Sequence, residues 1–290
     1  MCRSLPCLAL AVAILLQHIE LRAQEATPSD TIAAGELDVT RFAIVAGGTA
    51  VALGIGWAVQ DNLWWKGQPA PFHVNAERDY YYALNADKVG HMQFGYTVTT
   101  TYTDLFRWCN MDSTTAVWSA AGLSFAHHTF VEIRDGFSQK LGFSWGDFTA
   151  NAFGAGFPIL QHYIPILRPI DFQISFYPSD AYRTREFRSI IDDYTSTYYW
   201  AAFTIYDWLP SSVQEWYPPW LGVAVGLSVE NLDYQGGGNH AVYLSLDWNL
   251  SRIKGLPDWL DDVLRLLHLY HLPAPAVKVY PEVVWYGLKF

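Results

Sequence analysis

The sequence predicts an α+β fold: an apolar four-helix unit over residues 42–167, then a small antiparallel β-sheet with one amphipathic helix over residues 168–290. Three observations predict it. A charge-free, Gly/Ala-rich run, "FAIVAGGTAVALGIGWAVQ", opens the first unit. Three further segments set polar residues three, four and seven apart among apolar ones, which puts each set on one helix face. Beyond residue 168 the pattern turns β-branched and aromatic with partial alternation, the period of a strand.

The chain begins "MCRSLPCLALAVAILLQHIELRA", a basic residue followed by an apolar run too short to span a bilayer and a small residue at Ala23. Residues 1–23 therefore read as a cleaved secretory signal. Neither Cys2 nor Cys7 follows the apolar run as a lipid-modified cysteine would, so no acyl anchor is expected. Loss of this segment removes Arg3, Arg22 and Glu20 and takes the formal charge from −10 to about −11, which argues against nucleic acid as a partner. Cys109 is then the one remaining cysteine, so neither an intramolecular disulfide nor a cysteine-based zinc site is expected. Aromatic residues make up 16% of the chain, an excess that suits apolar surroundings.

Residues 24–41 are polar and expected to be flexible. The run over 42–60 is at the length threshold for a membrane span and equally suits a tightly packed buried helix. "DNLWWKGQPAPF" ends it, with a tryptophan pair fit for a membrane interface or a packed loop cap. A second helix is expected over 85–108 with Asn85 as N-cap, and a third over 113–134, closed by Gly136. The fourth opens at Ser144, where "SWGD" has the form of a capping box with Asp147, and runs to Pro158 or somewhat beyond. Five strands follow: "FQISFYP", "TYYWAAFTIYDWL", "LGVAVGLSVENLDY", "AVYLSLDWNL" and "VVWYGLKF". "QGGGN" joins the third and fourth as a hairpin. "PDWLDDVLRLLHLYHL" interrupts as an amphipathic helix with Trp259, Val263, Leu266, Leu267 and Tyr270 on one face. The last strand alternates as closing strands of outer-membrane β-proteins do. Five strands fall short of the barrel minimum of about eight, so the sheet is expected to pack on or lean against a membrane.

The chemistry gathers on the helices. Asp87, His91 and Gly95 share one stripe; His128, Glu132 and Asp135 share another; Asp147, Asn151 and Gly154 make a third. Buried charges persist only when paired, bonded or metal-bound, so three such stripes make sense if they face one another. Asp87, His91, Glu132 and Asp147 are the candidate catalytic residues; Lys88, Arg134, Asp135, Asn151 and His128 are candidate binding residues, with Lys88 and Arg134 supplying counter-charge. Converged, they form either an oxygen and nitrogen site for a divalent metal or an acid/base pair able to activate water. Helix capping is the competing account of Asp87 and Asp147.

On "DKVGHMQFGY", "FVEIRDGFS" and "GFSWGDFTANAFGAG" the chain resembles a bacterial family of unknown function, the predicted periplasmic lipoproteins of the YfiM type. Its tail, with "STYYWAAF", "YLSLDWNL" and "PAPAV", looks like longer members typical of Bacteroidetes. More distantly, the order D-K-x-x-H, Glu, D-x-x-x-N-x-x-G is similar to VanZ-like membrane proteins. That likeness implies four hydrophobic helices around a polar cluster, with Asp87, Lys88, His91, Glu132, Asp135, Asp147 and Asn151 as signature positions. It implies no reaction.

The expected function is that of an exported, periplasmic, membrane-associated envelope protein, at the outer or inner membrane. Its expected role is structural or interactive, with the cluster locking the helices and a membrane lipid or envelope component as partner. The alternative is a hydrolase or binding protein acting on a lipid or phosphorylated headgroup through the same cluster. No phosphate loop, nucleophile motif or nucleotide fingerprint is present.

Overall fold

The computed structural model describes residues 36–290 apart from Gln68, Glu77, residues 185–190 and Tyr234. The expected signal and most of the segment expected to be flexible lie outside the described residues. Helix α1, Val39–Gln60, already begins inside that segment because the Asp38 carboxylate caps it, accepting from the Arg41 N–H at 3.0 Å. A π-helical turn, Asp61–Trp65, prolongs it.

Helix α2, Ala86–Trp108, starts one residue from its expected position. Asn85 stands at the N-cap but caps nothing; with Ala83 and Leu84 it forms a run at φ 65°, 47° and 52°, a left-handed path that L-residues adopt at a cost. This run turns the chain into α2. Helix α3, Ser113–Gly136, is capped by Asp112, whose carboxylate accepts from the Thr115 N–H at 2.9 Å. Helix α4, Trp145–Tyr163, carries half of the expected capping box: the Ser144 hydroxyl oxygen accepts from the Asp147 N–H at 2.9 Å, but the Ser144 N–H donates to Glu132 rather than to Asp147, whose carboxylate is held by Lys88; the helix continues past Pro158.

Helices α2 and α4 cross at small residues. A Cβ on Gly154 would lie 2.0 Å from the Met92 carbonyl oxygen, and one on Gly95 would lie 3.1 Å from the Asn151 carbonyl. Only glycine permits this approach of two backbones. Helix α1 lies on the outside of the bundle. It is buried at Val45 against Leu105, Phe106, Cys109, Ala116 and Ala120, and elsewhere exposes Ile44, Val51, Leu53 and Trp57.

The second half is one antiparallel meander of six strands in chain order: β1 Ile170–Phe176, β2 Thr197–Phe203, β3 Leu221–Glu230, β4 Asn239–Trp248, β5 Ala274–Tyr280 and β6 Val284–Lys289. The expected hairpin is β3–β4. Strand β5, "APAVKVY", is additional to the five expected. Its Pro275 sits where the register shifts between Ala274 and Ala276, so the missing N–H interrupts no ladder. The amphipathic helix, α5, is Asp258–Leu267 and is shorter than expected. Leu267 is 41% exposed, and Tyr270 lies beyond the helix end, bridged to Ile174. Residues 269–271 run instead along β1, with Ile174 N–H donating to Leu269 and His271 N–H donating to Ile174. The side chain of Trp259 lies outside the described part.

Helix α2 joins the halves. Gln93 donates to the Phe172 carbonyl at 2.8 Å, and the Tyr96 hydroxyl donates to Asp171 at 2.9 Å. The Tyr199 ring covers Gly90, where a Cβ would meet its hydroxyl at 2.8 Å. Beneath the sheet Trp200, 1% exposed, stacks on His271 at 4.0 Å between centroids and donates to Ser175 at 2.8 Å.

Candidate functional site

The first two turns of α2 carry Asp87, Lys88 and His91; α3 carries Glu132; α4 carries Asp147 and Asn151. The glycine crossing of α2 and α4 brings these residues face to face. The Lys88 ammonium lies 2.7 Å from Asp79 Oδ1, 3.1 Å from Asp147 Oδ1 and 3.4 Å from Asp87 Oδ2. His91 Nε2 lies 3.7 Å from Asp87 Oδ1 and 3.9 Å from Asp147 Oδ2. Its Nδ1 lies 3.1 Å from Asn151 Oδ1 and 3.5 Å from Glu132 Oε1. From the sheet side, the Tyr194 hydroxyl donates to Asp87 Oδ1 at 2.7 Å.

Burial separates the members. Glu132 and Asn151 are enclosed, at 1% and 0% exposure, whereas the Lys88 and His91 side chains keep 17% and 24%. Lys88 and Asp79 sit on the floor of a cavity of about 630 Å³, with Val89, Met92, Trp145, Ala150 and Phe153 on its walls.

The charges follow from this packing. Burial alone would lower the His91 pKa, but Asp87, Asp147 and Glu132 raise it to about 9. Burial works against Lys88 too, and Asp87, Asp147 and Asp79 hold it protonated beyond the ordinary lysine range. Burial pushes Glu132 up to about 8 against the pull of His91. Asp147 is raised by burial and by Asp87, with His91 and Lys88 opposing. Asp79 is lowered in spite of burial, because Lys88, Ser144 and the Gly146 N–H all bond to it.

Three expected members lie elsewhere. Arg134 follows Glu132 by two residues, about 200° around the helix, and so points away from the cluster. Its guanidinium lies over Trp57 and Trp65, at 5.2 and 5.0 Å, and 3.9 Å from Asp61. It fastens α1 to α3 and supplies no counter-charge to Lys88's carboxylates. Asp135 accepts from the Trp65 indole at 2.5 Å, and burial raises it to about 6. His128 shares the Glu132 stripe, but its Nδ1–H folds back onto the Ser124 carbonyl at 2.7 Å; burial lowers it to about 4 and leaves it neutral.

Asp79 and Tyr194 belong to the cluster and were not legible in the sequence. Asp79 comes from the short 3-10 turn Arg78–Tyr80 and Tyr194 from a turn before β2, both too brief for periodicity to carry information. Ser144 was legible as a cap, but not as a donor to Asp79.

Chemically, the arrangement suits holding a cation or cross-linking helices. A phosphate approaching Lys88 would meet three carboxylates around it, so an anion site is poorly served. Asp87, His91 and Asp147 each present one ligand atom within 4.8 Å of the others, a donor set that fits a divalent metal.

Residues 78–163, which hold every helix-borne member of the cluster, match the model of the family described as predicted periplasmic lipoprotein (DUF2279). The resemblance to the predicted periplasmic lipoproteins holds over these residues, and the family's description is that of a periplasmic protein. The expectation of no acyl anchor falls on residues 1–35, outside the described residues. Comparison with curated proteins and with solved structures gave no match.

Proposed function

We propose that this cell-envelope protein is seated in a membrane by α1 and has a structural or interaction role, its polar cluster locking three helices and the sheet together. The observation that carries the reading is Lys88, whose ammonium lies within 2.7–3.4 Å of three carboxylates. Removing one partner from a buried pair costs about 3–5 kcal/mol, because the remaining charges stay buried and unmatched. Membrane seating is supported by α1 and its π turn: within Val39–Trp65 an 18-residue window has mean hydropathy 1.9, yet only 6% of that window is buried. At about 1.5 Å per residue this helix is about 40 Å long, sufficient for a hydrocarbon core of about 30 Å. Trp57, Trp64 and Trp65 gather toward one end, as interfacial aromatics do.

Two experiments test the two parts. Val51→Asp with Leu53→Asp, in the native host, should move the protein from the membrane to the soluble fraction, since each aspartate costs about 2.5–3.5 kcal/mol at a span centre. Unchanged membrane recovery after carbonate washing would overturn the seating. For the lock, Lys88→Met should lose folded protein, and adding Asp79→Asn should restore part of it. If Lys88→Met stays folded, abundant and membrane-located yet behaves as a deletion strain does, the second reading gains. That reading, a site for a lipid or phosphorylated headgroup, is supported on the lipid side by the apolar-walled cavity beside Lys88, whereas the three carboxylates count against a phosphate.

A further inference from the structure

We infer that Asp87, His91 and Asp147 form a binding site for a small divalent metal of the zinc or manganese class. The separations are the starting point. His91 Nε2 stands 3.7 and 3.9 Å from one oxygen of each aspartate, beyond the range of about 2.7–3.2 Å that an N–H donor needs. Two ligands each about 2.1 Å from a common ion stand about 3.4 Å apart at a tetrahedral angle and about 3.6 Å apart at 120°. A contraction of a few tenths of an ångström brings His91 Nε2 to that separation from each aspartate oxygen, and all three ligand atoms already lie within 4.8 Å of one another. The same gap is too wide for direct bonds.

The outer contacts match. His91 Nδ1 lies 3.1 Å from Asn151 Oδ1, an acceptor for its N–H, so an ion that displaces the Nε2 proton meets a lone pair facing Asp87 and Asp147. Metal-bound histidines are held in this way, by an acceptor on the far ring nitrogen. Lys88 grips the aspartate oxygens turned away from the site, Asp87 Oδ2 and Asp147 Oδ1, and Tyr194 fixes the Asp87 carboxylate from the sheet.

Independent support comes from polar atoms that the protein leaves without hydrogen bonds. Glu132, 1% exposed, directs Oε1 at His91 Nδ1 across 3.5 Å and bonds nothing with it. Asn151, 0% exposed, leaves Nδ2 unbonded. Such groups cost about 1–3 kcal/mol each unless an unmet need is answered. Asp79, Asp87 and Asp147 also surround the single ammonium of Lys88, and a divalent ion adds positive charge beside them. With a metal on Nε2, Glu132 becomes the carboxylate partner behind the histidine, a positioning residue and not a ligand.

The inference stands apart from the lock, which needs no ion. The full chain, purified in detergent and stripped with a chelator, is titrated with Zn²⁺, Mn²⁺ and Co²⁺, with bound metal measured by mass spectrometry and cobalt by its visible bands. About one ion per chain is expected, with a rise in Tm that chelator reverses. His91→Ala and Asp147→Asn should abolish binding. Glu132→Gln should weaken it about 10–100-fold. Asp79→Asn, which touches Lys88 but no ligand, should weaken the lock and keep the metal. Should the ligand variants fail to fold, the cobalt spectrum of the wild-type protein decides: bands of a nitrogen-ligated ion support the site. A folded wild-type protein that takes up none of the three ions at micromolar concentration, or a His91→Ala variant that binds as tightly, would overturn it.

Discussion

Replacing Gly154 by alanine places a methyl group 2.0 Å from the Met92 carbonyl oxygen, 2.8 Å from its carbon and 3.0 Å from Met92 Cα. All three are backbone atoms, so no side chain can swing aside. A comfortable contact is about 3.5 Å, so α2 and α4 must part by about 1.5 Å. Overpacking of this kind costs about 1–3 kcal/mol, and a backbone clash belongs at the upper end, about 3. Alanine returns about 1 kcal/mol of helix propensity, leaving a net loss of about 2. Gly156, two residues along the same helix, has no atom within 4 Å of its built Cβ. Gly156→Ala therefore keeps only the propensity gain, about 1 kcal/mol. Denaturant titration of the two variants in detergent, followed by tryptophan fluorescence, should separate them by about 3 kcal/mol. Equal stabilities, or Gly154→Ala the more stable, would refute the account of the crossing. Since Met92 adjoins His91, Gly154→Ala should also lower metal affinity.

Further predictions concern other parts of the molecule. His268 lies 3.0 Å from Asp171; burial would lower its pKa, but Asp171 raises it above the ordinary 6.5, while burial would raise Asp171 and His268 holds it below 3.8. The raised histidine contributes stability that is fully present below pH 6.5 and lost as pH rises through its folded value. The lowered aspartate contributes stability present above pH 3.8 and lost as pH falls through its own. The Tm difference between wild type and His268→Gln should thus be largest between about pH 4 and 6.5 and shrink on either side; a flat difference would break the pairing argument. Cys109 is 0% exposed, with its thiol pushed up by burial, so a thiol reagent should label Cys109 only after denaturant is added. Gly226→Ala, whose Cβ would meet the Trp200 ring at 2.5 Å, should destabilise by about 1–3 kcal/mol and alter the tryptophan emission.

What the sequence made legible was local. The stripes of Asp87 and His91, of Glu132, and of Asp147 and Asn151 could be drawn because helical spacing places them, and the Ser144 cap lies within three residues of its partner. Convergence of the stripes could be argued from the cost of buried charge. Asp79 and Tyr194 could not be found, because one reaches the cluster from a short 3-10 turn and the other from a turn before β2, neither long enough to show a period. Arg134 was assigned to the cluster by charge, though its position on the helix turns it toward the tryptophans. Strand β5 was hidden by prolines that a register shift accommodates. His128 shows that a shared stripe fixes direction only as far as Cβ: its ring turned to its own helix.

The meander pairs each strand with the next in the chain, so every strand pairing is between sequence neighbours and the sheet's contact order is low. The bond from Tyr194 to Asp87 is different: 107 positions separate its ends. In a protein exported from its N-terminus, the helices arrive first with their carboxylates in place, and the hydroxyl that covers Asp87 arrives only after β1 has crossed. The polar cluster is completed late, by the second half of the chain. A polypeptide stalled or cut before residue 194 presents an open, charged seam between its helices, and such an unfinished chain is what envelope proteases and chaperones are suited to detect.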